Sequence, residues 1–230
     1  MVPYPSTPDS KSPGRGKAET MSPNRPFEAM GETLKKATAA LRDAEVPFVV
    51  GGSLASWARG GPEPQHDLDI MVKPADAERA LEVLVGAGMR PERPPEGWLF
   101  KAWDGDVLLD IIFEPKGLAV DDSVLERAEE IDVLAISMPV MSIEDMLTTK
   151  LLSLDEHSLD YTSLVQIARA LREIVDWDAL RRRTAGSPYA KPFFALVEEL
   201  GIAPAHPAHA AGRTHVRVVD PPEAVATRGR

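Results

Sequence analysis

The sequence predicts an α+β protein, a mixed β-sheet with flanking helices followed by a C-terminal helical bundle. Three observations carry this expectation. Short apolar or alternating runs bounded by Gly and Pro recur up to Pro139, apolar residues fall at helical spacing between those runs, and beyond Pro139 only helical patterns remain.

Taken in order, Leu34, Ala37 and Leu41 give residues 27–44 a helical stripe, and Pro47 then opens the strand Phe48-Val49-Val50, which ends in Gly51-Gly52. A short helix capped by Ser53 is expected over 53–59, then a loop over 60–65. Asp67-Leu68-Asp69-Ile70-Met71-Val72 alternates polar and apolar as a strand does, and 75–87 reads as a helix. Runs 98–103 and 107–113 flank Asp104-Gly105-Asp106 and predict a hairpin, with one further strand near 133–138. Ser142-Ile143-Glu144-Asp145 has the look of a capping box and leads a helix to about 154. More helices are expected over 158–173, 178–183 and 188–200.

Composition limits the classes of function. With 43% hydrophobic residues in 230, the chain has material for one sizeable core or two small ones, and its 27% charged content suits a water-exposed surface. No stretch nears the roughly 20 apolar residues of a membrane span, and no secretory signal opens the chain, so a cytoplasmic protein without membrane partners is expected. The absence of cysteine excludes disulfides, thiolate metal sites and a cysteine nucleophile. A net charge of −10 argues against non-specific grip on a long nucleic acid, which needs many Lys and Arg contacts. Arg169, Arg172 and Arg181 to Arg183 form the one dense basic group in the folded span, read either as solvated helix faces or as a landing site for a small folded RNA. Residues 1–26 and 203–230 are rich in Pro and small or polar residues without apolar periodicity and read as disordered tails. Between them, 27–139 is expected as the catalytic domain and 140–202 as a helical domain.

The chemistry lies in three acids. Asp67 and Asp69 are two apart on a strand, so both carboxylates point to one face and Leu68 and Ile70 to the other. Anions this close repel by roughly 4 kcal/mol at 4 Å with an effective dielectric near 20, which a divalent cation relieves; the alternative is a solvated sheet edge. Asp110 interrupts the otherwise apolar run Val107 to Phe113, where an ionised carboxylate must be paired, protonated or metal-bound. If that strand neighbours the first, the acids form an oxygen-rich site suited to Mg²⁺ or Mn²⁺; otherwise Asp110 pairs with an arginine such as Arg59. The turn Val50-Gly51-Gly52-Ser53 presents backbone N–H groups and a hydroxyl to phosphate oxygens, or is a plain turn. Lys150 falls on or beside the stripe of Leu147, Leu151 and Leu154, where it either meets an anion or snorkels to water.

Together, Val50-Gly51-Gly52-Ser53, thirteen intervening residues, Asp67-Leu68-Asp69-Ile70 and the later Asp110 resemble the signature of the DNA polymerase beta-like nucleotidyltransferases. The helical half resembles the small members of that superfamily, the AbiEii/MenT-like toxins and the antibiotic nucleotidyltransferases, in which a Ser-x-Glu-Asp-x-x-x-x-Lys segment is matched here by Ser142, Glu144, Asp145 and Lys150, and a following helical acid by Asp160. The thirteen-residue loop is long for the family, and His66 has no counterpart in the pattern.

The resemblance implies a fold, a cofactor and roles. Asp67, Asp69 and Asp110 would be catalytic and hold Mg²⁺ (or Mn²⁺), with Gly52, Ser53 and Lys150 binding the nucleotide, so that a nucleoside monophosphate passes from an NTP to an acceptor hydroxyl. The acceptor would be a tRNA 3′ end, a protein or a small molecule. A toxin would come with a cognate antitoxin. Two other readings are a binding or regulatory module with reduced catalysis, against which the intact acids argue, and a two-carboxylate hydrolase that needs no NTP.

Overall fold

The computed structural model describes residues 25–64 and 67–205; the side chains of Arg25, Pro26 and Asp67 lie outside that description, as do His66, most of the two expected tails, and the end of the loop before Asp67. Helix α1 (Arg25–Asp43) buries Met30, Leu34, Ala37 and Leu41 along one stripe. Strand β1 (Val49–Val50) follows, then the short helix α2 (Gly52–Trp57) and strand β2 (Asp67–Met71). A 3₁₀ turn at Pro74–Asp76 leads into α3 (Ala77–Gly86). Next come β3 (Arg90–Glu92), β4 (Leu99–Asp104), β5 (Val107–Ile112), α4 (Asp122–Glu126), β6 (Glu129–Val133) and β7 (Ile136–Val140). Helices alone complete the described chain: α5 (Ile143–Ser153), α6 (Thr162–Leu171), α7 (Trp177–Thr184) and α8 (Ala190–Glu199).

The seven strands form one mixed sheet in the order β3-β4-β5-β2-β1-β7-β6. β2 is central, antiparallel to β1 and parallel to β5, which disposes of the alternative that its acids sit on a solvated edge. α1 and α3 pack on one face, where Leu68, Ile70, Leu109 and Ile111 are fully buried. Burying about eight such methylene-rich positions across one sheet and two helices supplies roughly 1.5–3 kcal/mol per large side chain, which is what fixes β2 and β5 side by side.

Several expectations are corrected. The single strand near 133–138 is a hairpin, because Leu134 and Ala135 both take positive φ (52° and 64°) and turn the chain between Val133 and Ile136. Such a two-residue turn usually announces itself by Asn-Gly, so Leu-Ala hid it. Ser53 does not cap α2: the N-cap residue is Gly51, with no side-chain bond. The helix expected from 158 begins at Thr162. At the far end, Ala203 is buried and its N–H donates to the Val197 carbonyl (3.1 Å), which holds the chain against α8 one step past the expected limit.

Candidate active site

The acids stand where strand alternation puts them. Asp69 turns away from the face that Leu68 and Ile70 bury, and Asp110 is its lateral neighbour in the parallel β2–β5 pair, so the two carboxylates rise from one face. Asp67 opens β2 in register with Leu108. Among the described side chains no three acids or histidines are grouped to hold a metal ion, and the Asp67 side chain is not among those described.

Asp110 is 16% exposed and receives Lys101 Nζ on Oδ1 at 2.9 Å. Lys101 lies directly opposite it across the antiparallel β4–β5 pair. The sequence reading missed this lysine. A two-residue turn at Gly105-Asp106 sets Asp104 against Val107 and therefore Lys101 against Asp110, so the hairpin signal contained the pairing once its turn length was fixed. Arg59, the partner considered for Asp110, instead donates to Glu129 (3.1 Å) and to the Ala55 carbonyl (3.0 Å).

The glycine turn meets Asp69 closely. The Gly51 N–H donates to the Asp69 carbonyl at 2.9 Å, and Gly52 has φ +58°, with the position of a Cβ falling inside the Asp69 carboxylate. Only glycine fits both the left-handed backbone and that contact. Gly52→Ala is therefore expected to displace the carboxylate and lower turnover by about 100-fold or more, roughly 2.7 kcal/mol of barrier, read in a steady-state assay against a melting curve. A mutant with wild-type kcat would show that the contact has no bearing on catalysis.

A cleft of about 500 Å³ opens at this point, lined by Gly52, Asp69, Met71, Trp98, Lys116 and Lys150 among others. Three of the expected site residues, Gly52, Asp69 and Lys150, thus share one wall system, with Asp110 beside Asp69; Ser53 is half-buried in the first turn of α2 and does not line the cleft. Lys150 reaches it from α5, whose Leu147 and Leu151 are fully buried.

The other residues of the Ser-x-Glu-Asp segment set the pose of that helix. Ser142 Oγ accepts the Asp145 N–H (3.2 Å) as an N-cap, and Glu144 Oε1 accepts the Asp176 N–H (2.9 Å) at the start of α7. Asp145 is 0% exposed and takes two bonds from Arg127 (3.0 and 3.1 Å) and another from Arg183. Burial pushes its carboxyl up, but the two guanidinium groups outweigh burial and hold it below the usual carboxylate range. Asp160 is exposed and accepts the Thr162 N–H (2.8 Å) just ahead of α6, so it caps that helix from outside and is not carried on it.

The basic group resolves differently from either expectation for two of its members. Arg181 donates to Glu198 (2.8 Å), Asp178 (3.2 Å) and the Pro204 carbonyl (2.8 Å) and lies over the Phe194 ring, while Arg183 is spent on Asp145. Arg169 and Arg182 are exposed, and Arg172 pairs with Glu173 at 2.9 Å. Two of the three charges at 181–183 are thus internal ties, and Arg182 is the exposed member.

A mixed sheet bearing in-register carboxylates next to a tight glycine turn, with helices after it that send a lysine over the same cleft, defines a nucleotidyltransferase fold, and the protein is an enzyme of that class. The chain belongs to the family described as uncharacterised nucleotidyltransferase, whose model matches residues 28–206. Among solved structures it is similar to ANT(2″)-Ia in complex with adenylyl-2″-tobramycin, with TM-score 0.54, 16% identity, and coverage of 71% of this chain and 98% of that one. It is likewise similar to the solution structure of the antibiotic-resistance factor ANT(2″)-Ia, with TM-score 0.53, 17% identity, and coverage of 76% and 98%. At such identities the likeness is one of fold. No curated protein sequence matches the chain. No helix among the described residues is long and apolar enough to cross a membrane.

Proposed function

We propose that this nucleotidyltransferase moves a nucleoside monophosphate from an NTP to the hydroxyl of a small-molecule acceptor, with Asp67, Asp69 and Asp110 as metal-holding residues, Gly52 and Lys150 as nucleotide-binding residues, and Ser53 in a supporting place behind the glycine turn. The observation that supports it is that Asp69 lines a cleft together with Gly52 and Lys150, with Asp110 in register beside it on the neighbouring strand. The donor set fits Mg²⁺ or Mn²⁺, since carboxylate oxygens are the ligands hard divalent ions prefer and Gly52 gives the Asp69 carboxylate the room that a Cβ would take. When bound there, such an ion supplies charge neutralisation for phosphate oxygens and acidifies a nearby hydroxyl.

The chain's own groups divide the remaining work. The acceptor oxygen attacks the α-phosphorus, its proton passes to the Asp110 carboxylate, and the bond from the α-phosphorus to the bridging oxygen breaks, releasing pyrophosphate. The Gly52 backbone positions the triphosphate from one side and the Lys150 ammonium from the other, while Ser53 backs the glycine turn from outside the cleft lining. In this reading 27–139 supplies the chemistry and 140–202 the lid over it, and the protein works in the cytoplasm, where NTPs are at hand.

Lys150→Ala is expected to raise KM for the NTP about tenfold, roughly 1.4 kcal/mol, with a smaller fall in kcat, because the lost contact is to phosphate in both ground and transition states. Initial rates over a range of NTP concentrations check this, and unchanged NTP kinetics would return Lys150 to a snorkelling role.

For the acceptor, the commitment of Arg181 and Arg183 to Glu198 and Asp145 favours a small molecule over RNA. The adenylyl-2″-tobramycin in the complex with ANT(2″)-Ia makes hydroxyl-bearing small molecules the first class to try. A toxin acting on a tRNA 3′ end, neutralised by an antitoxin, is the competing outcome. Incubation with α-³²P-labelled NTPs and a cell extract separates them: label in the low-molecular-mass fraction is expected, and label in tRNA or in protein would overturn the small-molecule assignment.

A further inference from the structure

Four residues lie in one lateral row on the cleft face of the sheet: Glu92 on β3, Lys101 on β4, Asp110 on β5 and Asp69 on β2. Their charges alternate and then repeat, minus, plus, minus, minus. Lys101 stands between two carboxylates in register, yet its ammonium goes to Asp110 at 2.9 Å, while Glu92 accepts the indole N–H of Trp103 at 2.8 Å. The lysine is only 23% exposed, and Asp110 only 16%, so the pair is held partly out of water on the rigid interior of the sheet. No hydrogen-bonding requirement of the sheet itself calls for a cation here, since the strands are paired through their backbones on both sides of β5.

Asp69 and Asp110 in neighbouring strands repel one another, and the repulsion can be relieved by a divalent ion or by a resident ammonium. We propose that Lys101 is a built-in counter-ion of the catalytic acids that competes with the divalent metal for Asp110, so that the metal binds tightly only when a polyphosphate is present. This rests on the assignment of Asp69 and Asp110 as metal ligands. Without substrate, the ammonium already occupies one oxygen of Asp110 and adds a positive charge that opposes an incoming cation. A polyphosphate brings enough negative charge to give both cations a partner, and Lys101 then no longer opposes the metal. The protein would thereby avoid holding a charged, hydrolytically competent centre when no NTP is bound.

The test is a titration with radiolabelled Mn²⁺ alone, read as label retained with the protein on ultrafiltration, on the wild type and on Lys101→Met, Lys101→Arg, Asp110→Asn and the Lys101→Met/Asp110→Asn double variant, each with a melting curve. Lys101→Met, which keeps the stem and removes the charge, is expected to bind Mn²⁺ at least tenfold more tightly than wild type. Lys101→Arg keeps the charge and should bind as wild type does. Adding inorganic tripolyphosphate, which carries the charge common to all NTPs, should shrink the gap between wild type and Lys101→Met to less than threefold. Equal or weaker Mn²⁺ binding by Lys101→Met would overturn the proposal, as would a gap that tripolyphosphate leaves unchanged. If Lys101→Met does not fold, Lys101→Gln carries the same expectation. Should Asp110→Asn leave Mn²⁺ affinity untouched in both backgrounds, the metal assignment itself fails; if only the lysine variants are silent, the counter-ion role alone fails.

Discussion

Asp69→Asn and Asp110→Asn are each expected to lower nucleotidyl transfer by at least about 1,000-fold, roughly 4 kcal/mol of barrier, while leaving the protein folded. The amide keeps the shape of the carboxylate and removes the charge on which the proposed metal binding and proton acceptance would depend. The folded state should barely notice. In Asp110→Asn the lysine opposite loses its counter-ion, but Lys101 is partly exposed and can be rehydrated, and the repulsion from Asp69 is removed at the same time. Melting temperatures within a few degrees of wild type, alongside the loss of turnover, are the expected pair of results. Activity within tenfold of wild type in either variant would remove that residue from the catalytic set.

The second large effect is on stability, at a residue that touches no substrate. Asp145→Asn takes the charge out of a fully buried carboxylate on which Arg127 and Arg183 converge. Breaking one partner of a buried ion cluster costs about 3 kcal/mol, the lower end of the usual range because both arginines retain contact with water. For a chain of this size that corresponds to a fall in Tm of roughly 6–12 °C. The pH dependence has a definite sign. Since the folded-state carboxyl titrates below its unfolded value near 3.9, its stabilisation is complete above that value and is lost as pH falls through the folded one. Melting curves from pH 7 down to pH 3 should therefore show wild type and Asp145→Asn converging in acid. A constant gap over that range would mean that the carboxylate charge is not what the cluster depends on.

The contrast between the pair Asp69 and Asp110 and the buried Asp145 bears on how much of the molecule was legible beforehand. Asp69 and Asp110 were legible because alternation fixes the face of a strand residue and because a lone carboxylate in an apolar run demands a partner. Asp145 was legible only as part of a segment that resembles one in small nucleotidyltransferases; its position gave no hint that it anchors a helix and does not enter the cleft. Its partners, Arg127 and Arg183, lie 18 and 38 residues away, beyond the reach of local pattern. The same holds for Arg181, whose neighbours in sequence suggested a patch while Glu198 held it inward.

The strands missed share a physical reason. β3 is a three-residue edge strand with all its residues exposed and Pro91 at its centre, and β6 carries Glu129, Glu130 and Asp132, so neither shows apolar alternation. β2, β4 and β5 were recognised because burial on at least one face left its period in the sequence. Lys101 falls between these cases: its strand was expected, but its significance depends on register, which a one-residue change in the turn would have reversed.

The most direct test of the account is to supply an NTP labelled on the α- or on the γ-phosphate, with a hydroxyl-rich acceptor, in the presence of Mg²⁺ or of excess chelator. The account predicts that α-label moves to the acceptor, that γ-label leaves as pyrophosphate, and that both events stop when the chelator is added. Transfer of γ-label to the acceptor, or transfer of α-label at an undiminished rate without divalent metal, would contradict it.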